Sequence, residues 1–233
     1  MATAAERREQ LKSVFEEARV CVRCPLHQTR TTVVFGAGNA DAALMFIGEA
    51  PGANEDRLGL PFVGQAGKLL DTLLGEIELS RADVFIANTL KCRPPGNRDP
   101  HPNEIATCQD YLRRQVDLIE PTVICTLGNF STKLLREDPA GISRLHGREE
   151  VRIIGSRAVR LYPLYHPAAA LYTPSMLETL RADFKRIPEL LALGPPEQPP
   201  APEPVPEAEE LRFEAPDPGA EEQLEAAAQL GLF

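Results

Sequence analysis

Residues 43–56 read ALMFIGEAPGANED, and the first six of them decide the fold. A short, wholly apolar run that stops at Gly48 shows no alternation of faces, so it reads as a strand buried on both sides, as in a parallel sheet. Working outward, VFIANTL (84–90) and TVICTLG (122–128) repeat the pattern. Helical spacing of apolar residues fills the intervals, in GQAGKLLDTLLGEI (64–77), in NEIATCQDYLRRQVDLI (103–119) behind Pro102, and over 129–137. An amphipathic helix over 4–19 precedes this unit. EVRIIG and AVRLYPLYH form two more strands in the manner of a hairpin, and a helix over about 175–192 follows. Strands alternating with helices predict an α/β fold: a single three-layer domain, residues 1–193, with a central, mostly parallel sheet and helices on both faces. There are no internal repeats.

The composition changes sharply near Gly194. Residues 194–233 carry ten acidic residues, one basic residue (Arg212) and nine of the 22 prolines. Like charges and proline leave too little apolar surface to offset ordering, so 194–233 is expected to be a disordered tail. That tail accounts for the whole net charge of −9 and leaves residues 1–193 neutral. A neutral body can still present a basic face to nucleic acid, and Lys91, Arg93, Arg98, Arg144 and Arg148 are its loop candidates. No apolar run approaches the roughly 18 residues of a membrane span. MATAAERREQ lacks a secretory h-region, so a cytoplasmic protein with reduced thiols is expected; a monomer is expected as well.

In open parallel sheets ligands bind at the carboxyl ends of the strands. Those ends carry Glu49 and Ala50 before the turn at Pro51 and Gly52, then Glu55 and Asp56, then Asn88, then His166 before Pro167. Phe62 sits behind a proline in LGLPFVG, between the first strand and its long helix. Taken singly these are a turn, a core aromatic, a capping amide and a structural histidine. Together on one rim they have the chemistry to read a flat, hydrogen-bonding ring. Phenylalanine offers a face, asparagine a donor and an acceptor, and histidine a donor to developing negative charge.

Cys21 and Cys24 form a C-x2-C pair in VCVRCPLHQTR, and Cys92 and Cys108 follow as C-x15-C after a gap of 67 residues. In a reducing compartment this reads as a metal site, and four thiolates suit zinc or an iron–sulfur cluster equally. Cys125, inside an apolar strand, reads as an inert buried thiol.

The motifs CVRCPLHQTR, GEAPGANED, PFVGQAGKLLD, FIANTLKCRPPGNRDPHPNE, Cys108 and YHPAAAL together resemble the family 4 uracil-DNA glycosylases, iron–sulfur members of the uracil-DNA glycosylase superfamily. The likeness runs from about residue 20 to 190. It implies a monofunctional hydrolase that cleaves the N-glycosidic bond of deoxyuridine in DNA, leaves an abasic site and so starts base excision repair. It also implies that Cys21, Cys24, Cys92 and Cys108 ligate a [4Fe-4S] cluster. The target base would be flipped out of the stack. Phe62 would stack on uracil, Asn88 would read its Watson–Crick edge, Glu55 would lie against C5 and exclude a thymine methyl, and His166 would stabilise the departing anion at O2. Leu171 is the expected wedge in the vacated space, with Arg93 and Arg98 on phosphates. Where the best-known branch has a water-orienting aspartate, this chain has Ala50, so Glu49, Glu55 and Asp56 all stay open as the base. A related branch traps DNA through a histidine in a KRRIH insert that is missing here. His101 keeps that alternative, a covalent or non-turnover uracil-DNA-binding iron–sulfur protein, in view.

The chain closes with Gln229-Leu230-Gly231-Leu232-Phe233, which is similar to the bacterial sliding-clamp-binding peptide. Apolar anchors on an acidic tether imply a clamp as a partner.

Overall fold

The structure is a computed structural model and describes residues 3–200. The terminal motif at 229–233 and nearly all of the expected tail lie outside the described residues. Among them, six strands form one sheet: β1 (Ala37–Gly38), β2 (Leu44–Gly48), β3 (Val84–Asn88), β4 (Val123–Leu127), β5 (Glu150–Ile154) and β6 (Arg157–Leu164), in the order β1-β3-β2-β4-β6-β5. The inner pairs β3–β2, β2–β4 and β4–β6 are parallel, and the edge strands β1 and β5 are antiparallel to their neighbours. The hairpin reading of the last two strands therefore holds, as does the mostly parallel sheet.

The apolar runs are buried throughout because the sheet is covered twice. One face, with Met45, Ile47, Phe85, Ala87, Ile124, Val159 and Leu161, packs against α1 (Ala4–Arg19) and α4 (Pro102–Ile119). The other, with Leu44, Phe46, Ile86, Cys125, Tyr162 and Leu164, packs against α3 (Gln65–Gly75) and the C-terminal helices. Odd and even residues of each strand go to opposite layers, as the pleat requires.

Two differences from the sequence reading have local causes. The single helix expected over 175–192 is two, Pro174–Lys185 and Ile187–Ala192. Pro188 lacks the N–H that would continue the first helix, and its ring conflicts with the carbonyl four residues back. The carboxylate loop after β2 contains a six-residue helix, α2 (Ala53–Leu58), whose first turn carries Glu55 and Asp56 at the end that favours negative charge. Past Gly194 the chain stays against the body as far as Gln198, whose side-chain amide exchanges hydrogen bonds with the Ala158 backbone at 2.9 and 3.1 Å.

From β2 the chain passes to β3 on one side and later to β4 on the other. The carboxyl ends of these strands thus flank a topological switch point. Gly48 pairs with Asn88 in register, so the ends of β2 and β3 stand level there. No described helix is long and apolar enough to cross a membrane.

Candidate active site

Glu49, Ala50, Glu55, Phe62, Asn88, Arg98 and His166 line one cavity of about 380 Å³ at this switch point. A second, broader cleft of about 730 Å³ adjoins it, shares Glu49 and His166, and is also lined by Asp99, Asn129 and Lys133. The expected convergence of an aromatic, an amide, a carboxylate and a histidine is present.

Close packing at the strand ends makes the cavity. A Cβ on Gly48 would come within 2.4 Å of Asn88 Oδ1 and 2.9 Å of Phe62 Cζ, so only glycine lets both side chains approach the end of β2. Asn88 is 2% exposed, and its side-chain amide is committed to no partner among the described residues. Its backbone carbonyl accepts from Lys91 Nζ at 2.9 Å, and Lys91 also donates to Gln115 Oε1. The asparagine is thus braced from behind while its amide points at whatever enters.

His166 caps the short helix α7 (Pro167–Ala170): the backbone N–H of Ala168 donates to Nδ1 at 3.1 Å. An Nδ1 that accepts carries no proton, so the neutral ring is protonated at Nε2. Burial pushes its pKa down to about 4, so the ring is neutral at physiological pH. Its plane lies 27° from that of Phe62, with centroids 5.7 Å apart.

Phe62 has φ 53°, the left-handed region, which costs a bulky residue about 1–3 kcal/mol and is kept where the surroundings impose it. Glu55 is part of that imposition. Its Oε1 accepts from the N–H groups of Val63 and Gly64 at 2.9 and 3.1 Å. Gly67 lets the first turn of α3 close on the same segment, since a Cβ there would meet Phe62 O at 1.7 Å. Glu55 therefore lines the cavity and also braces the Phe62 loop, a task its spacing did not reveal.

The three carboxylates left open as a base are now distinct. Asp56 is buried and accepts from the N–H groups of Thr31 and Thr32. Glu55 is engaged as above. Glu49 holds no side-chain hydrogen bond among the described residues, and its pKa is raised by burial and by repulsion from Asp99.

The basic candidates divide as well. Lys91 is 1% exposed and belongs to the interior, so it is corrected out of the nucleic-acid face; the turn after β3 folds it under Asn88. Arg98 lies at the cavity, but its guanidinium makes a fork to the buried Glu104 at 2.9 and 2.6 Å. Arg93 is bonded through Nε to Asn97 Oδ1 at 2.8 Å. Leu171 follows α7 at 38% exposure, beside the fully presented Tyr172, outside the cavity lining. Sequence reasoning passed over Arg81, whose guanidinium reaches the Phe62 loop and whose partners are 10, 19 and 20 residues away in the chain.

Cys21, Cys24, Cys92 and Cys108 pack on the same apolar cluster, between the end of α1, the turn after β3 and α4. Among the described residues no group of three or more His, Cys, Asp or Glu side chains could hold a metal ion between them. A four-iron cubane is larger than an ion and asks its thiolates to stand apart. The surroundings suit such an anionic group. Arg30 Nη1 donates to Cys92 Sγ at 3.3 Å, and the Lys91 backbone N–H donates to Cys108 Sγ at 3.3 Å. Cys125 is wholly buried, and burial pushes its thiol far up, as expected of an inert side chain.

Residues 35–191 match the family model described as the uracil DNA glycosylase superfamily. The chain is 47% identical over 187 residues to the type-4 uracil-DNA glycosylase of Sulfurisphaera tokodaii, covering 78% of this chain and 85% of that one. It is equally identical to the Archaeoglobus fulgidus type-4 protein, covering 78% and 94%. It is 41% identical to that of Thermotoga maritima, covering 71% and 85%.

Proposed function

The chain belongs to the uracil DNA glycosylase superfamily, among its type-4 members, and on that premise we propose how it acts. It hydrolyses the N-glycosidic bond of deoxyuridine in DNA, releasing uracil and leaving an abasic site for repair. The observation that carries the mechanism is the fixed Nε2–H of a neutral His166, set against Phe62 in a cavity it shares with Asn88.

A flipped uracil stacks on Phe62. Asn88 accepts from N3–H and donates to O4; cytosine reverses that pattern and would leave buried groups unpaired. His166 Nε2–H donates to O2, where charge gathers as the C1′–N1 bond breaks. A neutral donor stabilises the uracil anion without first transferring its proton. Glu49, at the junction of the cavity and the broader cleft, holds the attacking water and takes its proton; its pKa, raised by burial and by Asp99, makes it a stronger base than an ordinary carboxylate. A dissociative path through an oxocarbenium ion asks little more of it. Ala50 and Glu55 close the wall at the C5 edge, and Leu171 enters the stack. Arg93 and Arg98 lie by the phosphates, Arg98 largely neutralised by Glu104. The test is a duplex carrying one uracil, incubated with the protein and then with alkali. Strand scission over many turnovers is expected, and tight retention without scission would favour the trapping alternative through His101.

Cys21, Cys24, Cys92 and Cys108 hold a [4Fe-4S] cluster in this reading, tying the N-terminal segment to the turn beyond Asn88. The cluster supplies cross-linking rather than a step of hydrolysis. Purified protein is expected to be brown, and Cys92→Ser to bleach its visible absorption and lower its unfolding temperature. A colourless wild type carrying zinc would refute the cluster.

The protein works as a monomer in the cytoplasm on nucleoid DNA. Gln229, Leu230, Leu232 and Phe233 bind a bacterial sliding clamp, with the acidic, proline-rich segment beyond Pro200 as the tether. A peptide of residues 221–233 is expected to bind the clamp and to lose that affinity with Leu232→Ala and Phe233→Ala. An equal affinity of the altered peptide would remove the assignment.

A further inference from the structure

The left-handed backbone of Phe62 needs holding, because a free phenylalanine would relax to the extended region. Glu55 secures the N–H groups that follow it. The carbonyls are secured by one side chain from elsewhere in the chain. Arg81 Nη1 donates to Pro61 O at 3.0 Å and Nη2 to Phe62 O at 2.5 Å. Its Nε–H is fixed on Asp71 Oδ1 at 2.6 Å. Arg81 lies in the turn before β3 and Asp71 in the middle of α3, so the pair joins two elements to the loop that carries the aromatic.

We propose that Arg81, aligned by Asp71, is a positioning residue that holds Phe62 in the geometry needed to stack on the target base. The inference rests on the reading of Phe62 as the stacking surface. A planar guanidinium with divergent donors spans two successive carbonyls while a third N–H anchors it. A lysine, a single ammonium on a flexible stem, secures one carbonyl at a time. Arg81 thus acts on the base only through Phe62, and that dependence separates it from a scaffold residue.

The experiment is a double-mutant cycle on the full chain, with single-turnover uracil excision measured for wild type, Arg81→Ala, Phe62→Ala and the pair, each shown folded by thermal melting. Arg81→Ala is expected to lose about tenfold in kcat/KM in the wild-type background. In the Phe62→Ala background the same change is expected to cost less than about twofold, because the group it positions is gone. Inhibition by free uracil should weaken in step with the single mutant, and Arg81→Lys should recover only part of the loss. Equal losses in both backgrounds, no loss in either, or a silent Phe62→Ala would overturn the proposal. If Arg81→Ala does not fold, Arg81→Lys and Asp71→Asn carry the same cycle. Wild-type excision itself tests the glycosylase reading, so the two fail separately.

Discussion

Replacing His166 with alanine lowers the rate of uracil excision by about 10²–10³-fold while the protein keeps its fold and its affinity for DNA. The expectation follows from where the charge goes. The leaving uracil carries its negative charge largely on oxygen, and in the proposed mechanism Nε2–H of His166, left as the donor by the bond from Ala168 N–H to Nδ1, makes the hydrogen bond that strengthens as that charge develops. A hydrogen bond that strengthens only in the transition state appears in kcat rather than in binding. The same geometry sets the pH dependence. With a folded pKa of about 4 against an ordinary value near 6.5, this group stays a neutral donor and adds no acid limb near 6.5. The sign for stability is the reverse of a histidine that gains a carboxylate partner. The unfolded chain takes up the proton first, so the group's contribution is full above about 6.5 and is lost as pH falls toward 4. Single-turnover rates for wild type and His166→Ala across pH 5 to 8 check both parts. A wild-type limb near 6.5 that vanishes in the mutant would show a protonated imidazole at work and refute the neutral donor.

Replacing Asn88 with alanine is expected to cost about 10³-fold in uracil excision, through two lost hydrogen bonds to the base of roughly 1–3 kcal/mol each. The side chain is buried and its backbone is braced by Lys91, so neither a neighbour nor a shift of the strand end can replace it. The loss should be confined to steps that involve the base. Affinity for the abasic product, which has no base to read, should stay within about twofold of wild type, and the preference for uracil over cytosine should fall with the rate. Excision from matched uracil and cytosine oligonucleotides, with product affinity measured alongside, decides it. An equal fall in product affinity would mean that Asn88 supports the fold rather than reads the base.

Both predictions concern residues that are legible in the amino-acid sequence. ALMFIG, VFIANTL and TVICTLG announce buried strands because burial on both faces leaves a nearly continuous apolar run, with only Asn88 and Thr126 as polar members of the strands themselves. The rule that ligands gather at strand carboxyl ends then places Glu49, Asn88 and His166 together. Phe62 is legible as a candidate through its proline-flanked loop. The order of the strands is not, because the distance between two strands along the chain does not say which of them pair.

The sequence by itself determined the fold class, the chemical inventory of the site and the four thiols, because these depend on residue type, local periodicity and motif. Tertiary structure alone decided which groups are available to act. It set the histidine tautomer through Ala168 N–H, took Asp56 and Glu55 into backbone hydrogen bonds while leaving Glu49 uncommitted, neutralised Arg98 with Glu104 and carried Lys91 inside. It also brought Arg81 to the Phe62 backbone. The physical reason is the same in each case. A side chain's protonation, charge and freedom are set by partners far away in the chain, and only the packed fold brings those partners within hydrogen-bonding distance.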